Sequence, residues 1–158
     1  MKTEEYYMNE AFKEAMKAFD LEEIPVGAVV VDKKGSIIGR GHNIKEKTYK
    51  VIGHAEIEAI TKANKKINNW RLNDCSLYVT LEPCEMCKKV IQEANIENIY
   101  YCLSNNSKKI DKSNYNKINN ENLINKYNKV FKESFNKIRW FFFIYVSRET
   151  YEKIFPGK

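Results

Sequence analysis

The chemistry on offer in this sequence sits in two short runs: His54 and Glu56 in Gly-His-Ala-Glu, and Cys84 and Cys87 in Pro-Cys-Glu-Met-Cys. Two cysteines at this spacing can set both sulfurs on one side of a helix's first turn, where the helix dipole favours thiolate over thiol. Two thiolates and an imidazole are a donor set suited to zinc, with iron as the alternative. Residues two apart in mid-helix diverge by about 200°, so His54 and Glu56 share a cavity only if His54 starts the helix. Gly53, immediately before, favours such a start. Three protein ligands leave a fourth position for water, which distinguishes a catalytic zinc from a structural one and brings the water's pKa to about 7. Glu56, a carboxylate beside the metal and not on it, would then carry the proton. Taken alone, Cys-x-x-Cys also fits a redox pair, or a structural zinc closed by Cys75 or Cys102.

These residues need elements to hold them. Thr3 to Phe19 places Tyr7, Met8, Ala11, Phe12, Ala15, Met16 and Phe19 at helical spacing behind a Thr3 N-cap. Ala28 to Asp32, a Lys33-Lys34-Gly35 turn and Ser36 to Gly41 read as a hairpin whose first strand, apolar throughout, belongs inside a sheet. A loop from Ile44 to Gly53 leads to a helix over His54 to Lys66. Ser76 to Leu81 is a strand feeding the cysteine turn, Cys84 to Ala94 a helix and Ile96 to Leu103 a strand, a unit that is expected to be parallel and right-handed. Both motifs then start helices at the carboxyl ends of strands, where open α/β sheets bind ligands. Ser104 to Asn122, rich in Asn, Lys and Ser, reads as a surface segment, with a weak strand near Leu123 to Tyr127. From Val130 to about Lys153 the pattern is helical and is expected to bury Phe131, Phe135, Ile138, Phe142, Tyr145 and Val146.

At 158 residues, the chain is expected to form a single domain, 1–158. Four cysteines are too few for a disulfide scaffold and point to a reducing, cytoplasmic setting. No apolar run suits a signal peptide or a membrane span, so no membrane partner is expected. The net charge of +6 is uneven, with 9 Lys and Arg against 11 Asp and Glu in residues 1–60, and 18 against 10 in residues 61–158. A basic second part suits a phosphate-bearing partner such as nucleic acid, or is simply a solvated lysine-rich surface.

His-x-Glu followed by Pro-Cys-x-x-Cys is the pattern of the zinc nucleobase deaminases. The chain further resembles the bacterial tRNA-specific adenosine deaminases of the cytidine deaminase-like superfamily. The resemblance rests on Pro25-Val26-Gly27-Ala28-Val29, Gly41-His42-Asn43, His54-Ala55-Glu56, Trp70-Arg71-Leu72 through Leu77 to Cys87, and a last helix beginning Val130-Phe131-Lys132-Glu133. It implies a three-layer α/β/α fold, with a mixed central sheet of about five strands and helices on both faces. It also implies hydrolytic conversion of adenosine to inosine at the wobble position of a tRNA anticodon, by a homodimer with one zinc per subunit. Under it, His54, Cys84 and Cys87 match the metal ligands and Glu56 the proton shuttle. Asn43, Ala55 and Pro83 match the substrate-binding positions, Asn43 holding a flipped adenine whose carbon 6 is attacked by zinc-held hydroxide. Three features depart from the family pattern: Lys88-Lys89 after the cysteines, Val51-Ile52-Gly53 before His54, and Ser104-Asn105-Asn106-Ser107 after the following strand. The alternatives are a deaminase of a free base or nucleotide (guanine, cytosine or dCMP) and a structural-zinc RNA-binding protein. In the last helix, Arg139, Trp140, Phe141, Phe142, Phe143 and Arg148 are candidates for stacking on and pairing with an anticodon loop, against core packing.

Overall fold

The computed structural model describes residues 2–105 and 114–145. Helix α1 (Glu4–Asp20) starts where the Thr3 side chain accepts the Tyr6 N–H at 3.2 Å, with Glu4 and Glu5 complementing the dipole in its first turn. Strands β1 (Gly27–Val31) and β2 (Ile37–His42) form the expected hairpin. The Ile44–Gly53 loop contains a single helical turn, α2 (Lys45–Thr48), before α3 (Ala55–Ile67). Strand β3 (Ser76–Leu81), helix α4 (Glu85–Glu93) and strand β4 (Asn98–Leu103) follow, then β5 (Tyr115–Lys117) and α5 (Glu121–Tyr145).

The five strands lie in the order β2-β1-β3-β4-β5. β1 runs antiparallel to β2 and β3, while β4 is parallel to both β3 and β5, so the sheet is mixed as expected. β1 is buried at every position because it has a strand on each side and a helix layer on each face. One core lies between the sheet and α3 and α4, built from Ala28, Val30, Ala59, Leu77, Val79, Ile91 and Ile99 among others. The other joins α1 and the start of α5 to the opposite face through Met8, Ala11, Val29, Tyr78, Leu123 and Tyr127. The architecture is therefore α/β/α.

Two glycines set how closely the helices approach. A Cβ at Gly41 would stand 2.2 Å from the Ala55 carbonyl oxygen, and one at Gly27 would stand 2.0 Å from that of Ala11. The backbones of α3 and α1 thus rest on opposite faces of the sheet where no side chain fits between, which fixes the first turn of α3 against the end of β2.

The C-terminal third departs from the sequence expectation. Leu123 to Tyr127 is helix, not strand: the Asn120 side chain accepts the Leu123 N–H at 3.2 Å and caps α5, so that Leu123, Tyr127 and Phe131 recur at helical spacing. Tyr115–Lys117, expected as surface, is a strand paired to β4; with one half-buried and two exposed residues it carries no apolar alternation to betray it. Phe135 is 49% exposed instead of buried and packs edge-on against Phe131 at 5.0 Å. Residues 106–113 of the Asn-rich segment lie outside the described residues. So do Val146 and Arg148, and the side chains of Ile138, Arg139, Trp140, Phe141, Phe142, Phe143 and Tyr145. Among the described residues, no helix is long and apolar enough to cross a membrane.

Candidate active site

Two helix N-termini meet at one end of the sheet. His54 is the N-cap of α3, with extended φ −94° and ψ 147°, and Cys84 is the N-cap of α4, with φ −71° and ψ 168°. β3 delivers Cys84 through Glu82 and Pro83. That turn is fastened to the end of β4: the Glu82 N–H donates to the Leu103 carbonyl at 2.8 Å, and the buried Glu82 carboxylate accepts the Asn105 N–H at 3.0 Å. Cys87 follows in the first turn of α4 and is fully buried.

The structure brings His54, Cys84 and Cys87 together. His54 Nδ1 lies 3.7 Å from Cys84 Sγ and 3.5 Å from Cys87 Sγ, and the three donor atoms all fall within 4.8 Å of one another. A tetrahedral zinc with ordinary bond lengths needs nitrogen-to-sulfur edges of about 3.6 Å. The residues present therefore fit the ion in donor chemistry and in spacing. Among the described residues, no other trio of His, Cys, Asp or Glu is gathered in this way. Neither Cys75 nor Cys102, both buried with free thiols, belongs to the group, so the fourth position is not closed by a cysteine.

The charges of the site also call for a cation. Cys84 is pulled down to about 5: the Cys87 thiol hydrogen-bonds to it, and although burial opposes the thiolate, the Cys87 and Met86 backbone N–H groups and the His54 ring favour it. Cys87 is driven strongly upward, because its proton is held against the Cys84 sulfur and because burial and Glu56 oppose a second negative charge. Glu56, only 4% exposed, is raised to about 7, chiefly by burial and further by Cys84. The three acids thus compete for negative charge, with the thiolate favoured on Cys84 and charge on Cys87 and Glu56 opposed. A divalent ion would reverse that balance, stabilising both thiolates and ionising Glu56.

Of the expected substrate-binding positions, Asn43 is already engaged at both ends of its amide. Nδ2 donates to the Ile24 carbonyl at 3.0 Å, and Oδ1 accepts the Ala55 N–H at 3.0 Å. It ties β2 to the start of α3 and keeps one amide hydrogen and one lone pair for a further partner. Ala55 is fully buried and its N–H is used by Asn43; Pro83 is buried in the turn before Cys84.

Several buried polar residues outside the motifs fasten the surrounding elements. Glu23, 2% exposed, accepts the Lys47 N–H at 2.8 Å and holds α2 in place. On the outer face, Glu10 pairs with Arg40 at 2.6 Å, and Glu14 meets His42 at 3.1 Å and Lys17 at 2.8 Å. The signal was present but ambiguous. Glu10 and Glu14 are spaced i and i+4 beside the apolar stripe of α1, and Arg40 and His42 alternate on the same face of β2.

Residues 1–103 match the family model described as the cytidine and deoxycytidylate deaminase zinc-binding region. Over 100 residues the chain is 51% identical to the tRNA-specific adenosine deaminase of Streptococcus pyogenes serotype M18, covering 63% of this chain and 62% of that protein. The chain thus spans less than two thirds of that curated relative. A solved structure from work on A-to-I editing by tRNA:A34 deaminases at the wobble position of transfer RNA is 39% identical with a TM-score of 0.61, covering 63% of this chain and 76% of that one. The guanine deaminase of Bacillus subtilis is 33% identical with a TM-score of 0.62, covering 65% and 66%.

Proposed function

Because this chain belongs to the cytidine and deoxycytidylate deaminase zinc-binding family, we propose that it is a zinc-dependent hydrolase converting adenosine to inosine at the wobble position of a tRNA anticodon. The observation that carries the reading is the His54, Cys84 and Cys87 cluster, left with an open position beside the buried carboxyl of Glu56. The three residues would hold one zinc per subunit. When bound, the ion makes a nucleophile of water at neutral pH.

The chain's own groups do the rest. The Glu56 carboxylate would take the two protons of the water in turn, passing the first to the purine ring nitrogen and the second, drawn from the hydroxyl newly bonded to carbon 6, to the departing amine. Adenosine and water thereby become inosine and ammonia. Burial suits Glu56 to this work, since it raises the carboxyl toward neutral pH, where it can both accept and return a proton. The spare hydrogen and lone pair of the Asn43 amide would hold the flipped base, with Ala55 and Pro83 shaping the wall around it. The basic excess in residues 61–158 supplies attraction to the RNA backbone. The names of the relatives, which match over about two thirds of this chain, support an RNA substrate, and we extend the reading to a homodimeric, cytoplasmic enzyme of one domain.

The test is to incubate the full chain, loaded with zinc, with an anticodon stem-loop bearing adenosine at the wobble position. Free adenosine, cytidine, dCMP and guanine are assayed in parallel. Inosine in the stem-loop is the expected product. Turnover of guanine alone would instead ally the enzyme with the guanine deaminase it resembles and overturn the tRNA assignment.

A further inference from the structure

The family match ends at residue 103, yet α5 reaches the turn that holds Asn43. Ile24, Pro25 and Val26 form a tight turn in which the Val26 N–H donates to the Ile24 carbonyl at 2.8 Å, with Pro25 at its centre. All three carbonyls of this turn are taken. The Ile24 carbonyl also receives the Asn43 side-chain amide at 3.0 Å, and the Val26 carbonyl receives the Asn43 backbone N–H at 3.2 Å. The Pro25 carbonyl receives the hydroxyl of Tyr127, a residue of α5 that is 1% exposed and 102 positions away. From Asn43 the contacts continue through the Ala55 N–H to the first turn of α3, which carries His54 and Glu56.

Ring and hydroxyl of Tyr127 do separate work. The ring packs edge-on against Phe12 of α1 at 6.2 Å and tilted against Phe131 on the next turn of α5 at 5.8 Å, contacts that do not involve the hydroxyl. The hydroxyl contributes a bond to the one carbonyl of the turn that Asn43 does not use. A buried carbonyl left without its donor costs free energy, and the turn would shift to find another partner.

We infer that Tyr127 is a positioning residue for substrate recognition, its hydroxyl fixing the Ile24–Val26 turn and thereby the direction in which Asn43 presents its free amide hydrogen. The inference rests on the proposed role of Asn43 in holding the base. It makes α5 part of the specificity apparatus without contact between Tyr127 and substrate.

Tyr127→Phe keeps the ring and removes the hydroxyl, and Phe131→Leu disturbs the ring packing while leaving the hydroxyl. In the zinc-loaded full chain, Tyr127→Phe should raise the KM for the wobble-adenosine stem-loop by about 5-fold, the size of one neutral hydrogen bond. It should leave kcat within about twofold, and zinc content as in the parent. Hydrogen exchange at the Val26, Asn43 and Ala55 amides should quicken by a similar factor, a readout that needs no activity. Phe131→Leu should lower Tm without moving either quantity. Wild-type KM and exchange rates in Tyr127→Phe would overturn the inference, as would equal changes of both in Phe131→Leu. A parent chain inactive on the stem-loop sinks the tRNA reading, and the exchange rates still decide whether Tyr127 positions Asn43.

Discussion

His54 Nδ1 stands 3.5 Å from Cys87 Sγ although 33 residues separate them, because each belongs to the first turn of its own helix and the two helices begin side by side at one end of the sheet. The separation is what a shared tetrahedral ion requires, and it arises with α3 held close by Gly41 and α4 delivered by β3.

Removing one donor should remove the metal. Cys87→Ser is expected to lose most bound zinc by elemental analysis, and chelation of the parent should lower Tm in a zinc-dependent way. At zinc one hundred times its dissociation constant, the ion stabilises the fold by about 2.7 kcal/mol. A chelated parent that melts at the holoprotein's temperature would contradict a site built into the fold.

Glu56→Gln should separate chemistry from metal binding. The amide retains the volume of the carboxyl but cannot carry a proton, so zinc content should remain while kcat falls by about 10²- to 10⁴-fold. Unchanged turnover with zinc in place would assign the proton transfers to another group.

Stability should depend on pH through Glu14. Burial opposes its charge, but hydrogen bonds from His42 and Lys17 prevail and hold the carboxyl down to about 2. Lys17 and Glu10 on α1 and Arg40 on β2 are the charged groups beside it, and the titratable His42 ring of β2 lies 3.1 Å away. A carboxyl lowered in the folded state stabilises above its unfolded pKa of about 4.3, and that contribution disappears as pH falls through about 2. Glu14→Gln should therefore cost on the order of 2 kcal/mol at pH 7, with the difference from the parent narrowing in urea melts as pH falls from 5 to about 2. A gap that stays constant over that range would show that Glu14 acts by packing alone.

Gly41→Ala should be more damaging than an added methyl usually is. The new Cβ would lie 2.2 Å from the Ala55 carbonyl oxygen and 2.5 Å from the Ala59 nitrogen, both backbone atoms of α3. Overpacking of this kind costs about 1–3 kcal/mol. Because α3 carries His54 and Glu56, zinc affinity should weaken with stability. Full zinc affinity in a destabilised Gly41→Ala protein would mean that the first turn of α3 tolerates the shift.

Local spacing carried much of this protein. Ser76 to Leu81 was legible to the residue because an apolar run ends at Glu-Pro-Cys, and the start of α3 was legible because Gly53 and His54 make a cap. The helical pattern from Val130 was legible, but the start of α5 was not, because Tyr127 and Leu123, aromatic and aliphatic residues among polar ones, fit a short strand as well as a helix, and only docking onto α1 and β4 decides between them. β5 was missed because its polar residues are ordered by pairing with β4, not by burial.

The sequence by itself determined the chemistry: which side chains can bind a metal, which carboxylate accompanies them, and that each sits near a helix start, since these depend on residue type and on spacings of a few positions. The tertiary structure decided everything that joins distant positions. It placed one imidazole against two thiols, buried Glu56 and Glu14 in different company, occupied both ends of the Asn43 amide, and pinned Pro25 with Tyr127. These pairings follow from strand order and helix docking, where burial forces each polar group to find its partner, and no local pattern specifies which partner that will be.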